Sequence, residues 1–480
     1  MSTATVQAAP LLERCFLFDA VEDSYEFTGI TGRIPKWLHG SYYVNGPARF
    51  ERNGQRYKHW LDGDGMVCAL RFSDAGVRFT NKFVGTAKLR DEDAAHKFLY
   101  REFGTAFPGD QLRRKVMLEP PVNVSVYPYA GKLLAFGEQS LPVELDPDTL
   151  ETRGDYDFGA SLNEVSPFAA HAKTDPHSGH LLNFGISFSA TEPMLNVYEF
   201  NAHGGLVRRR RHKLQYQHSV HDFGFTPNYV AFYLSPLIMN FQRFWAEEIS
   251  VMESLSWEPD KGSRILIAPR ESKTIEPFFV EVNPRYCLHL INCHEEGASV
   301  IVDVLEMDRP IYGEYQPIPD LFTTVPPCRP ARYIIDTQTR AIREKIEMSY
   351  DCAPDFPAID AHRFGEAYND FWALGMTASG QHHERKFFDQ LVHGSWKAGA
   401  VCDQYISPYG EYLGGEPVCI VNPANPDEAV VVVEHLVPAE SRVEFLLFDA
   451  FALQSGPIAR LPLRHPIHPG FHTSFHADAA

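Results

Sequence analysis

Short apolar runs recur along the chain, each broken by a few Asp, Asn, Ser or Gly residues before a second run begins. Val67–Phe72 breaks at Ser73-Asp74-Ala75-Gly76 and resumes as Val77–Phe83. Pro142–Leu145 turns at Asp146-Pro147-Asp148-Thr149 into a polar segment, and Asn196–Phe200 turns over 201–205 into the basic run Arg208–Lys213. Arg332–Ile335 and Glu444–Phe448 end in similar turns, and Lys132–Phe136, Leu181–Ile186, Tyr229–Leu234, Ser299–Leu305 and Ala429–Glu434 are further apolar runs of strand type. Asp and Asn suit these breaks because their side chains bond to nearby backbone and tolerate left-handed geometry. The pattern therefore predicts an all-β fold of short strand hairpins. Spread over 480 residues, such hairpins fit a β-propeller better than a sandwich, whose core would fill sooner. The repeats share little sequence identity, so the pattern does not count the blades. No low-complexity linker divides the chain, which reads as one domain over 1–480.

One stretch follows helical spacing instead. Phe241, Phe244, Trp245, Ile249 and Met252 predict a helix over Met239–Leu255 whose apolar stripe faces the core. A hydrophobic fraction of 44% with 13% aromatics supplies a substantial core and excludes disorder. A net charge of −18 excludes a nucleic-acid surface, which needs clustered excess Lys and Arg. Arg208–Lys213 reads as a solvated strand face, with contact to anionic lipid as the alternative. The eight cysteines form no C-x-x-C pair and are expected as reduced thiols in a cytoplasmic protein. Met1–Pro10 lacks the basic and apolar regions of a signal peptide, and no apolar run approaches the ~18 residues of a membrane span. The expectation is a soluble chain, or one that lies on a membrane surface.

The candidate chemistry rests on histidine. His171 stands among small and apolar residues in Ser166–Ser187, before a D-P-x-S-G turn, and His221, His289 and His472 stand in similar strand-like surroundings. Each alone reads as an ordinary core residue. Four brought together can hold a divalent transition metal, since neutral imidazole suits Fe, Zn, Cu and Ni alike. His468, His472 and His476 have helical spacing, but Pro469-Gly470 would break that helix. No G-x-S-x-G nucleophile motif is present.

Eight motifs stand in a fixed order, among them H-W-L-D-G-D-G-M-V (His59–Val67), F-A-A-H-A-K-T-D-P (Phe168–Pro176), H-D-F-G (His221–Gly224), H-L-I-N-C-H-E-E (His289–Glu296), G-G-E-P-V (Gly414–Val418) and P-G-F-H (Pro469–His472). Through them nearly the whole chain resembles the carotenoid cleavage oxygenase family. The resemblance implies a seven-bladed β-propeller with a helical cap over one face. It implies one Fe(2+) per chain held by His171, His221, His289 and His472, with open positions where dioxygen binds as cosubstrate. The electrons for O–O cleavage would come from a conjugated alkene, and both oxygen atoms would end in two carbonyl products. Three carboxylates would accept from the metal-bound imidazoles, and they fall on Glu138, Glu416 and Asp355, the last one methylene shorter than the family's glutamate. His59, His177, His180, His218 and His294 match no ligand position and are expected to be structural or at the surface.

Two departures bear on the reaction. Val122 falls where many cleaving members carry Thr near the open iron position, as it does in the vertebrate retinoid isomerase. Gly137 replaces the Lys that commonly precedes the matching glutamate in stilbene-cleaving members, which favours an apolar polyene over a phenol. The expected activity is cleavage of one C=C bond of a carotenoid or apocarotenoid, a small hydrophobic polyene. Stilbene cleavage, retinoid-type isomerisation and a non-catalytic carotenoid carrier are the alternatives, and a patch near the cap could touch a membrane leaflet.

Overall fold

The strand hairpins form as the turn chemistry predicts: Gly65–Ser73 pairs with Gly76–Phe83, and Met194–Phe200 pairs with Leu206–Lys213. In this computed structural model, residues 9–478 are described apart from 116, 188–191, 273, 312–316, 319, 322–324 and 378–386. The first eight residues of the stretch read above for a signal peptide lie outside the described residues. Seven antiparallel sheets of four or five strands are arranged as the blades of a β-propeller.

Blade 1 contains Gly40–Pro47 and blade 2 begins at Ser125–Tyr129; blades 3 and 4 begin at Lys173–Thr174 and Gly224–Phe225. Blades 5, 6 and 7 begin at Tyr286–Glu296, Asp355–Ala358 and Tyr412–Asn422. In blade 5 the inner strand Tyr286–Glu296 and its neighbour Ser299–Met307 are buried almost throughout, because adjacent blades cover both faces. The outer strands alternate polar and half-buried positions, as in Leu206–Lys213 and Ala400–Ile406. The ring is closed from both chain ends. Thr473–Ala477 pairs with Gly40–Pro47 in blade 1, and Thr31–Gly32 pairs with Ala459–Pro462 in blade 7. Closure removes the exposed edges that an open sheet would present.

The basic run lies at the outer edge of blade 3, where Arg208 meets Glu199 and Glu271 and Lys213 meets Glu192. The helix predicted over Met239–Leu255 is instead two short helices, Phe241–Ala246 and Val251–Ser254, flanked by the paired strands Leu237–Met239 and Leu255–Trp257. Two local features override the apolar periodicity. Glu248 takes a left-handed φ of 52°, and Ser250 with Glu253 forms a capping box that starts a new helix. A helix that apolar spacing did not announce runs over Ala87–Ala95. Its buried positions include Lys88 and Glu92, so no apolar stripe marks it.

Neighbouring blades are tied by buried charge as well as by apolar packing. Arg270, which ends the segment I-A-P-R (Ile267–Arg270), reaches Asp175 in the D-P-x-S-G turn at 3.1 Å, Glu199 at 3.1 Å and the carbonyl of Thr226 at 2.9 Å. Removing one partner of a buried ion pair strands the other charge, at a cost of about 3–5 kcal/mol. Arg270→Met is therefore expected to lower unfolding stability by about 3 kcal/mol, read as a shifted urea midpoint by circular dichroism.

Candidate metal centre

Each blade brings one candidate residue toward the axis. His472 directly precedes the closing strand of blade 1, Glu138 follows Lys132–Phe136 of blade 2, and His171 and His221 precede the inner strands of blades 3 and 4. His289, Asp355 and Glu416 lie within the inner strands of blades 5, 6 and 7. The ladders are irregular at these last three: register shifts fall between Cys287 and Asn292, between Asp355 and Ala358, and between Gly414 and Val418. Phe356 and Gly415 carry positive φ values of 52° and 68° within those shifts. A bulge re-aims a side chain that strict alternation would send into a blade face. Glycine adopts the angle freely at 415.

His171, His221, His289 and His472 each offer a ring nitrogen, and the four atoms lie within 4.8 Å of one another. The Nε2 atoms of His171 and His221 are 3.0 Å apart. On the far side of the rings stand carboxylates. His289 Nδ1 donates to Asp355 Oδ1 at 2.5 Å, His221 Nδ1 lies 2.5 Å from Glu138 Oε1, and His472 Nδ1 lies 3.4 Å from Glu416 Oε2. The shorter side chain of Asp355 reaches because Asp355 opens the bulged inner strand of blade 6. A proton held on Nδ1 leaves Nε2 as a lone pair, and Nε2 of His289 finds no hydrogen-bond partner among the described residues.

This arrangement fits a metal ion. A buried imidazole lone pair without a donor is costly, and a cation satisfies several at once. Two nitrogens about 2.1 Å from one ion and at right angles lie about 3.0 Å apart, the separation of the His171 and His221 nitrogens. His171 and His472 are biased toward the neutral imidazole that coordinates a metal. Burial, and after it the neighbouring imidazoles, push His171 well below the usual imidazole range, and burial lowers His472 as well. At His289 burial acts in the same direction, but the charge and hydrogen bond of Asp355 outweigh it and raise the value.

A cavity of about 290 Å³ opens onto this cluster. Its walls are largely apolar, with Trp60, Phe103, Leu288, Phe356, Phe388 and Phe471 among them, and it reaches His221, His289 and His472. Val122 is not part of this wall. Its side chain is buried with Val67, Val84 and Val126 in the packing between blades 1 and 2, and its φ of 52° turns the chain there. Val124, two residues on, lines the cavity and accepts a hydrogen bond from the backbone N–H of His472 at 3.1 Å. The position of Gly137 has a packing reason, since a Cβ there would stand 3.1 Å from Val122 Cα.

The remaining histidines stand elsewhere. His177 pairs with Glu366, His180 with Glu199 and His294 with Glu296, while His218 stacks on Tyr216. His59 is buried, accepts from the N–H of Leu61 at 3.2 Å, and is pushed down to about 3 by burial. Asp222 was not read from the sequence as part of the centre. Its Oδ1 lies 3.7 Å from His171 Nδ1 and 3.0 Å from Lys173 Nζ, and the N–H groups of Phe223 and Leu290 hold the carboxylate in place. Its place directly after His221, in H-D-F-G, was the available signal.

The model of the retinal pigment epithelial membrane protein family matches residues 18–477. Isoeugenol monooxygenase of Pseudomonas nitroreducens is 27% identical over 463 residues, which cover 92% of this chain and 93% of that protein. Apocarotenoid-15,15'-oxygenase of Synechocystis is 27% identical over 95% of this chain and 94% of its own. Lignostilbene-alpha,beta-dioxygenase isozyme III of Sphingomonas paucimobilis is 25% identical over 94% and 93%. The crystal structure of cobalt-substituted Synechocystis apocarotenoid oxygenase superposes with a TM-score of 0.88 at 25% identity, covering 98% of each chain.

The purified protein is expected to bind one divalent transition metal per chain. Alanine at 171, 221, 289 or 472 should remove it, while His177→Ala should not. Asp355→Asn is expected to weaken metal binding by about 10–100-fold. Metal counted by atomic emission after dialysis against graded chelator checks all three.

Proposed function

This chain belongs to the retinal pigment epithelial membrane protein family, the carotenoid cleavage oxygenases, and from that premise we propose that it is an Fe(II)-dependent dioxygenase of conjugated alkenes. The observation that carries the reading is the cluster of four imidazoles, three of which line an apolar cavity. His171, His221, His289 and His472 would hold the iron, and Glu138, Asp355 and Glu416 would orient three of those rings. Bound iron would supply the activation of dioxygen, so that a C=C bond and O₂ become two carbonyl groups with no further reductant.

What the protein's own residues contribute is positional. The carboxylates keep the Nδ1 protons on the outer side of the rings, so the Nε2 lone pairs stay inward. Trp60 is pinned by its indole N–H to the carbonyl of Pro469 at 2.9 Å and packs on Phe471, which fixes one apolar wall. Phe356 packs against both His289 and His472, so an alkene lying on that wall is held beside the cluster and away from water. Neither an acid nor a base is needed, because no proton is transferred in the balanced reaction.

A volume of about 290 Å³ lies at the low end of the ~300–1,000 Å³ usual for small-molecule pockets. That size favours a phenylpropene, a stilbene or the end of a shortened apocarotenoid over an intact carotenoid enclosed whole. The isomerase alternative drew on Val122, which packs away from the cavity, so that residue gives it no support. All eight cysteines are free thiols, in keeping with a reducing cytoplasm. No described helix is long and apolar enough to cross a membrane.

The test is aerobic incubation of the Fe(II)-loaded protein under ¹⁸O₂ with isoeugenol, resveratrol, an apocarotenal, β-carotene and a retinyl ester, read by mass spectrometry. Two carbonyl products, each with one labelled oxygen and both absent in His289→Ala, are expected from at least one alkene. Iron at one per chain with no oxygenated product from any of them would refute the reading.

A further inference from the structure

The apolar cavity has one acidic wall residue outside the cluster of imidazoles and their carboxylates: Glu102. It is 1% exposed and belongs to the loop before Phe103, where its backbone N–H bonds to the carbonyl of Thr105. Among the described residues, no hydrogen bond reaches its Oε1. The nearest cation is Lys88, whose Nζ stands 3.4 Å from Glu102 Oε1. An ammonium has three protons, and those of Lys88 go to Tyr57 Oη at 2.8 Å, Asp64 Oδ1 at 2.8 Å and Glu92 Oε2 at 3.0 Å. Glu102 Oε1 is left without a partner among the described residues.

Burial drives the Glu102 carboxyl well above the usual range. Lys88 opposes this, while Asp62, Glu92 and Asp64 reinforce it. A carboxyl shifted in this direction favours its neutral form, which has an O–H to donate and a carbonyl oxygen to accept at the cavity wall. A purely hydrocarbon ligand would leave both unmet, at a cost an oxygen-bearing ligand avoids.

Resting on the alkene-cleaving reading, we propose that Glu102 determines specificity by hydrogen-bonding an oxygen at the end of the substrate. The oxygen would be that of a phenol, a methoxy group or a carbonyl, and a phenol could answer both halves of the acid. The substrate class is therefore an oxygen-ended conjugated alkene, and a polyene without oxygen is disfavoured. Glu102 touches only the end group; the bond that breaks lies at the imidazole cluster.

The experiment measures equilibrium binding and needs neither iron nor turnover. Isoeugenol and 1-phenylpropene, the same propenylbenzene without its oxygens, are titrated calorimetrically into wild type, Glu102→Gln and Glu102→Leu. Wild type is expected to prefer isoeugenol by about tenfold or more. Glu102→Leu should weaken isoeugenol by about tenfold and leave 1-phenylpropene equal or tighter, and Glu102→Gln, which keeps a donor and an acceptor, should retain part of the preference. Equal weakening of both ligands, unchanged isoeugenol binding in Glu102→Leu, or no preference in wild type would each overturn the proposal. Unfolding midpoints confirm that each variant is folded, and Glu102→Met replaces Leu where it is not. A retained preference in a protein that cleaves no alkene would sink the oxygenase reading and leave this one standing.

Discussion

Four imidazole rings are held with their ring nitrogens within 4.8 Å of one another, in surroundings that offer Nε2 of His289 no donor. Such an arrangement is unfavourable for an isolated chain, because lone pairs face one another in a medium of low polarity. It persists only if the scaffold is rigid and the outer ring nitrogens are tied down. Glu138 of blade 2 faces His221 of blade 4, Asp355 of blade 6 faces His289 of blade 5, and Asp222 at the entry of blade 4 faces His171 at the entry of blade 3, so each restraint comes from a blade other than that of the ring it holds. The centre is thus a property of the whole ring.

A propeller suits this task because every inner strand runs past one axis. Closure matters as much as convergence. Thr473–Ala477 completes blade 1 from the opposite end of the chain, and His472 enters the centre only because that strand pairs with Gly40–Pro47. The β-bulges at His289, Asp355 and Glu416 then turn three inner-strand residues toward the axis. Rigid closure and local irregularity are both needed: the first sets where the strands lie, the second where the side chains point.

Outside the centre, two buried cations are each met by several partners. Lys88 is enclosed by Tyr57, Asp64 and Glu92, and Arg270 by Asp175 and Glu199. These clusters hold the loops and blades around the cavity in one register. Glu102 stands at the limit of the Lys88 cluster, where the supply of protons runs out. An apolar cavity with one unpartnered carboxyl oxygen in its wall residues is a different recognition surface from an apolar cavity alone.

By itself the sequence determined the strands, their turns and the kind of donor available, because those depend on residues within a few positions of one another. The hairpin at 73–76 and the strand that takes in the basic run Arg208–Lys213 were legible from turn chemistry, and the four candidate histidines stood out by their apolar settings and family motifs. Tertiary structure alone decided which side chains face the axis. Val122 and Val124 are the same residue type two positions apart, yet Val122, with its φ of 52°, lies in the packing of blades 1 and 2 while Val124 lines the cavity. The spacing over Met239–Leu255 described a helix that Glu248 and the Ser250 cap divide. The helix Ala87–Ala95 escaped notice because its buried positions include charged Lys88 and Glu92, whose partners Tyr57 and Asp64 are distant in the chain. Periodicity reports what a short segment can bury, whereas bulges, caps and buried ion pairs depend on groups that only the closed ring brings together.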